Sequence, residues 1–364
     1  MTLIFGTLSR YFALRFLGSV TAVFGGVFAL VTMIDYIEML RRMSDVPDLS
    51  ALLIAKITLF RAPQITERIM PFCVLVGAMS SYLTLSRRLE LVIARAAGIS
   101  AWQFVMPAIV VALLIGVFAT TLYNPLAATL QERAKRLEDD LSGKQATTGP
   151  TSGSFWARQR SGDGHAVINA NSSREQGVRL GGVTVFTFDS GGHFRERIEA
   201  ASAVLEPGAW RLQDVRIYAA NAPSIERETY RVGTSLSPEQ VRESFATPET
   251  VPFWQLPTYI DIAEQAGLVA AGYRLQYQKL LARPFMLASM VFLAAAVSLR
   301  FFRFGGVQKM VLGGVAAGFL LYVGSKVIED MSKAELLQPA IAAWSPTLVG
   351  SLVGLLALLY QEDG

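Results

Sequence analysis

Six stretches of this chain are almost wholly apolar: approximately 13–34, 69–86, 103–123, 284–302, 307–328 and 339–360. Each is close to the roughly 20 residues a helix needs to cross a hydrocarbon core of about 30 Å, so the pattern predicts six transmembrane helices. The first follows Arg10 and Arg15 as the core of a signal peptide would. Its apolar run exceeds the ~7–15 residues of such a core and reads as an uncleaved anchor. Between the third and fourth stretches, from about Glu132 to Gly267, nothing is long enough to span, and the period changes. "GGVTVFTFD" (Gly181–Asp189) sets Val183, Val185 and Thr187 against Thr184, Phe186 and Phe188, the two-residue period of a strand. "HAVINA", "AVLEPGAWRLQDVRIYAA" and "ETYRVGTSL" repeat that signature, with Pro-Gly, Gly-Gly and Asn-Ala-Pro as turns. The inserted region is expected to be all-β, a sandwich or open roll. The predicted class is therefore an α+β membrane protein: three helices (1–131), a β domain (132–267) and three helices (268–364). The layout is nearly symmetric, yet no residue repeat links its halves.

Composition agrees with that class. Hydrophobic residues make up 52% and charged residues 17%, against roughly 25% charged in soluble domains; mean hydropathy is +0.39. A net charge of +4 is too small and too scattered to suggest nucleic acid. The one cysteine, Cys73, sits in an apolar run, which excludes an intramolecular disulfide and a cysteine-rich metal site.

Six spans leave both termini on one side and the β domain on the other. Arg10, Arg15, Arg87, Arg88, Arg95, Arg300, Arg303 and Lys309 fall on the terminal side. The opposite short loops hold Arg41, Arg42, Lys56, Lys326 and Lys333, partly offset by Asp45, Asp48, Glu329, Asp330 and Glu335. Since Lys and Arg concentrate on the cytoplasmic side, the termini are expected inside and the β domain outside.

On the inner side lies "SRRLELVIARAAGIS" (Ser86–Ser100). Ser86 suits a helix start and Gly98 a helix end, and Leu89, Val92, Ile93 and Ala96 form one stripe. The segment at 86–98 reads as a helix of about three turns, too short to span. It either rests on lipid headgroups or enters a groove on a cytosolic partner. Glu90 favours the second, since a carboxylate gains nothing beside anionic lipid.

Sequence motifs of common chemistries are missing: no G-x-x-x-x-G-K-[ST], no H-E-x-x-H and no G-x-S-x-G. The two histidines, His165 and His193, fall in the β region without clustered carboxylates or thiols, where surface positions on strands are the simpler reading. Glu132, Glu138, Asp139 and Asp140 look like a solvated extension of the third span. The chain reads as a non-enzyme.

The outer helix ends are unusually charged. "IDYIEMLRR" carries Arg41 and Arg42, "KITLFRAPQITERIMPF" carries Lys56, Arg61 and Arg68, "YRLQYQKLLARPF" carries Arg274, Lys279 and Arg283, and Lys326 closes the fifth span. Such residues either snorkel to headgroups or face a cavity or partner. Cations from several helices at one level suit an anionic amphipathic ligand, with guanidinium groups holding phosphate through paired hydrogen bonds.

Taken in order, these features resemble the lipopolysaccharide-export permeases LptF and LptG. "SRRLELVIARAAGIS" is similar to the family's cytoplasmic coupling-helix motif. "GSFWARQRSGDGHAVINA" before "GGVTVFTFD", together with "VTMIDYIEMLRR", resembles the LptG branch. The resemblance covers essentially the whole chain and implies a permease subunit of an ABC transporter in the bacterial inner membrane, with a periplasmic β-jellyroll. It implies a sister permease of LptF type, a homodimeric ATPase of LptB type that uses ATP and Mg2+, LptC, and LptA reached through the jellyroll. Lipopolysaccharide would be drawn from the inner membrane and passed to that bridge, with no cofactor bound to this chain. By the same resemblance, Glu90 would pair with an arginine of the ATPase, with Arg87, Arg88, Leu89, Val92, Ile93 and Gly98 in the same coupling element. A lysine that some members use on lipid A phosphates is replaced here by Thr32, leaving Arg41 and Arg42 as better candidates. On the jellyroll, Val183, Val185 and Phe188 are named as acyl-chain contacts or as ordinary core. Two other readings stand beside this one: a membrane-anchored scaffold that recruits periplasmic proteins without transporting anything, and an intramembrane enzyme using Asp35 or Glu67.

Overall fold

The structure is a computed structural model that describes residues 6–43, 50–98, 100–143, 152–161, 164–174, 178–189, 191–219, 223–234, 248–265, 270–304 and 307–362. Asp45 and Asp48, counted above in an outer loop, lie outside the described residues, as do the side chains of Val92, Arg95, Arg300, Arg303 and Lys309. Two compact units emerge: 1–139 with 252–254 and 274–364, and 140–251 with 255–273.

The first unit is helical: α1 (Thr7–Arg42), α2 (Ala51–Arg87), α3 (Glu90–Ala96), α4 (Ala101–Phe118), a π-helical turn (Ala119–Tyr123), and α5 (Asn124–Gly143), whose last four residues pass into the second unit. After the strands and α6 (Leu256–Gln265) come α7 (Ala271–Phe304), α8 (Val307–Lys333) and α9 (Pro339–Glu362). Six spans are long and apolar enough to cross a membrane, as the hydropathy pattern predicts: Thr7–Arg42, Ala51–Arg87, Trp102–Glu138, Ala271–Ser298, Val311–Lys333 and Pro339–Tyr360.

Burial separates these spans into two kinds. In α7, 67% of the most apolar window is buried, against 6% in α1 and 11% in α8, so α1 and α8 present their apolar flanks outward. A shared core joins Phe12, Phe16 and Val20 of α1 to Val74, Ala78, Tyr82 and Leu85 of α2, Phe104 and Ala108 of α4, and Leu287, Val291 and Ala294 of α7. At Gly116 a Cβ would stand 2.3 Å from the Pro284 Cα. Only glycine lets α4 and α7 touch there, the small-residue packing typical of membrane bundles.

The second unit holds one six-stranded antiparallel sheet whose strands follow in chain order: β1 (Ser152–Ser161), β2 (Gly164–Arg174), β3 (Arg179–Phe188), β4 (Phe194–Glu206), β5 (Ala209–Ala219) and β6 (Ile225–Gly233). Of the sandwich and open roll expected, the described strands follow the second, as a meander. β4 and β5 are joined through Pro207 and Gly208, the latter at φ +83°, as the Pro-Gly signal predicts. Within the expected β region 132–267, residues 132–143 continue the third span as helix, as the Glu132–Asp140 stretch suggested, and 256–265 are helical where strand was expected. Leu256 and Ala263 are buried and Tyr259 packs on Tyr273 at 6.0 Å, so α6 owes its helix to a 3.6-residue apolar spacing hidden in a mostly polar stretch.

One face of the sheet buries Ala166, Ile168, Leu180, Val183, Val185, Ile198, Leu205, Trp210, Leu212, Val215 and Ile217. Strict alternation would throw half of these outward. In β3 the buried positions change from Leu180 to Val183, in β4 from Ala200 to Ala203, and in β5 from Leu212 to Val215. The switch falls on one row, because Gly181 pairs with Ser202 and Ser202 with Gln213. Beside it Gly182 and Asp214 adopt φ +60° and +54°. Two left-handed residues crease the sheet and return the apolar side chains to one face on both sides of the fold line. Phe188 does not join this cluster; it packs edge-on against Phe194, ring centroids 6.0 Å apart.

Candidate functional site

The segment joining α2 to α4 does not form one helix over 86–98. α2 continues through Arg87, Leu89 takes φ +61°, and α3 starts at Glu90. A non-glycine residue in that region is a local kink rather than a helix interior. The break re-phases the turn that follows: Leu91 and Ala94 are buried, Leu91 within the shared core. Leu89 is 59% exposed and Ile93 66% exposed. Leu89, Ile93 and Ala96 of the predicted stripe therefore face away from the chain, and the anchoring residue, Leu91, is one the periodicity did not single out. Arg87, Arg88 and Gly98 are exposed, with Gly98 at φ +82° ending the element as expected.

Glu90 is half-buried and has a partner within the chain. The Tyr11 hydroxyl donates to its carboxylate, 2.9 Å from Oε2 and 3.2 Å from Oε1. Arg15 Nε in turn donates to the Tyr11 oxygen at 3.1 Å, and its guanidinium lies 5.4 Å from the Tyr11 ring centroid. Seventy-nine residues separate Tyr11 from Glu90, and no local sequence signal could have joined them.

The cations at the other helix ends divide by partner. Arg41 and Arg42, in the last turn of α1, both hold Glu38, at 2.9 and 2.8 Å; both are largely exposed, as are Lys56, Arg68 and Arg274. Lys56 stands 5.7 Å over the Phe60 ring. Lys326 lies 3.9 Å from Glu329 and 3.6 Å from Asp330, and Lys279 lies 2.7 Å from Glu329, tying α7 to α8. Arg61 reaches Glu138 at 2.8 Å and Asp35 at 3.6 Å, tying α2 to α5 and α1. Arg283 is ion-paired to Glu67, a carboxylate only 5% exposed. Lys279, Arg61 and Arg283 thus face carboxylates of neighbouring helices. Thr32 spends its hydroxyl on the Phe28 carbonyl of its own helix, 2.7 Å away.

Glu67 anchors a larger buried group. Asn124, 1% exposed, donates from Nδ2 to Glu67 Oε1 at 2.8 Å and accepts the Phe253 amide on Oδ1 at 3.0 Å. Tyr123 sets its hydroxyl 2.9 Å from Thr66 Oγ1 and 3.1 Å from the Pro63 carbonyl, and Thr120 donates to the Leu280 carbonyl at 2.9 Å. Thr120 and Tyr123 in the π-helical turn, and Asn124 just after it, are thereby aimed at α2 and α7. Such turns are rare and recur at functional sites. Both carboxylates of the intramembrane-enzyme reading, Asp35 and Glu67, are thus held by arginines.

Among the described residues no three His, Cys, Asp or Glu side chains are grouped to hold a metal. His193 lies in the β3–β4 turn, where its backbone amide donates to Asp189 Oδ1 at 2.8 Å and holds that carboxyl below its ordinary range.

The model of the family described as "Lipopolysaccharide export system permease LptF/LptG" matches residues 10–360. The chain is 22% identical over 376 residues to the lipopolysaccharide export system permease protein LptG of Escherichia coli K12, covering 98% of this chain and 99% of that protein. It is 23% identical over 367 residues to the protein of the same name from Haemophilus influenzae, covering 94% and 95%.

Proposed function

The chain belongs to the lipopolysaccharide export system permease family LptF/LptG, and on that premise we propose that it is a moving half-channel that carries no motor of its own. Its place would be the bacterial inner membrane, with both termini and α3 in the cytoplasm and the sheet in the periplasm, as the arginine distribution favours. A homodimeric ATPase would dock on α3, burn ATP with Mg2+, and drive lipopolysaccharide out of a cavity shared with a sister permease of LptF type. LptC and LptA would receive the lipid along the β domains. The outward apolar flanks of α1 and α8 suit contact with lipid and with that sister subunit.

One observation carries the reading. Ile93 stands bare on the short helix and Leu89 at the kink before it, while on the other side Leu91 is fixed in the shared core and Ala94 is buried. A lipid-resting helix would float; this one is braced from behind and presents an apolar knuckle with Glu90 at its edge, which suits a groove on a partner. Removing one member of a buried charge pair across an interface costs about 2–5 kcal/mol. Glu90→Ala and Glu90→Arg are expected to lose the ATPase on co-purification, or to hydrolyse ATP without exporting lipid. Normal co-purification and export by both variants would remove the claim.

At the other end, Arg41 and Arg42 share the Glu38 carboxylate and are largely exposed, and guanidinium groups suit phosphate. Arg41→Glu combined with Arg42→Glu should lower photocrosslinking to lipopolysaccharide, and undiminished crosslinking would return the pair to snorkelling.

A further inference from the structure

Glu90 is more than an outward-facing docking group, because within its own chain it is tied to α1. The Arg15 guanidinium donates to the Tyr11 oxygen, and the Tyr11 O–H donates to the Glu90 carboxylate. Cation, hydroxyl and anion stand in a line, so each hydrogen bond polarises the next. One hydroxyl hydrogen serves both carboxylate oxygens, at 2.9 and 3.2 Å, which leaves most of the carboxylate's lone pairs open to a second donor.

Next to this polar tie is an apolar one. Phe12, the neighbour of Tyr11, packs edge-on against Phe104 of α4 with ring centroids 6.4 Å apart, and Phe12, Phe16 and Leu91 share one core. The N-terminal turns of α1 are therefore tied to α3 by hydrogen bonds and share an apolar core with Leu91. Beyond them α1 keeps one side on α2, through Val20 against Gly77 and Asp35 with Arg61, and turns an apolar flank outward. A displacement of α3 that reaches the first turns of α1 is carried along the helix to that flank.

We infer that Tyr11, oriented by Arg15, is a positioning residue that sets the rotamer of Glu90 and passes displacement of α3 into α1, so that a force on the short helix swings the outward flank of the first span. This rests on the reading of α3 as the ATPase-docking helix and adds the path by which its motion leaves the docking surface. The hydroxyl leaves room on the carboxylate for an incoming arginine, so docking and the tie coexist.

The experiment uses the full complex of this chain, its sister permease and the ATPase, reconstituted in vesicles containing lipopolysaccharide. ATPase co-purification, ATP hydrolysis and lipid released per ATP are measured for Tyr11→Phe, Arg15→Gln, Glu90→Gln and the Tyr11→Phe/Glu90→Gln pair. Phenylalanine keeps the ring beside Phe12 and loses only the hydroxyl, so thermal unfolding is expected to be unchanged. Tyr11→Phe should retain the ATPase while lipid released per ATP falls about tenfold, the scale of one hydrogen bond to a charged group. Arg15→Gln should fall less, in the same direction. Adding Tyr11→Phe to Glu90→Gln should change nothing further, because both act through one contact. Parental release per ATP by Tyr11→Phe, or losses that multiply in the pair, would overturn the inference. Retention of the ATPase together with parental lipid release per ATP by Glu90→Ala would instead sink the docking reading, while the Tyr11→Phe result still decides the tie to α1.

Discussion

Glu67→Ala is expected to cost about 3–5 kcal/mol, because it strands the Arg283 guanidinium inside the helical unit with no counter-charge. The side chain of Arg283 is 15% exposed and that of Glu67 5%, so water cannot stand in for the lost partner. The change also takes the acceptor from Asn124 Nδ2, a buried donor whose own loss adds about 1–3 kcal/mol. Replacing both charges is different. Glu67→Gln with Arg283→Met keeps a carbonyl for Asn124 and a stem of similar length between α2 and α7, while removing both desolvated ions. Such exchanges are often neutral or stabilising. Thermal unfolding in detergent should place the single variant far below the parent and the double variant near it. Equal destabilisation by the two would mean that the charges themselves, not their pairing, hold the helices together.

The second large effect belongs to the sheet. Trp210 is 1% exposed and stands between Leu205 and Val232 across the β4–β5–β6 ladder. Truncating a buried tryptophan to alanine removes its transfer energy and leaves a cavity, together about 3–5 kcal/mol. The β unit rests on a single core of modest size, so Trp210→Ala should expose it to protease at temperatures where the parent resists. The helical unit has its own core and should keep its unfolding temperature. If both units melt earlier by the same amount, the two are not independent in stability.

Helices and strands differed in how openly the sequence declared them. Each span was legible because a membrane-crossing helix needs a long apolar run whatever it packs against. Their extents were not: α2 begins at Ala51, well before its apolar run at 69, because Arg61 and Glu67 are neutralised by partners on other helices. The β3 alternation identified Val183 and Val185 as one face, and both are buried. The crease was hidden, since Asp214 is an ordinary-looking residue whose left-handed backbone appears only once its neighbours are in register. At the candidate docking element, Leu89, Glu90 and Ile93 were named from pattern, yet the helix was started too early. The kink at Leu89 depends on Leu91 finding the core, a tertiary event. Tyr11, Arg15 and Asn124 carried no local signal at all, being joined to their partners only by folding.

The π-helical turn at Ala119–Tyr123 has a geometric corollary. An extra residue in one turn advances everything downstream by about 100° around the axis. Asn124 owes its azimuth to that offset. Were the wide turn regularised, its amide would rotate off the carboxylate it serves, and the Phe253 amide would lose its acceptor in the same stroke. One surplus residue thus acts as a vernier, setting the angle at which the third span meets the backbone at Phe253.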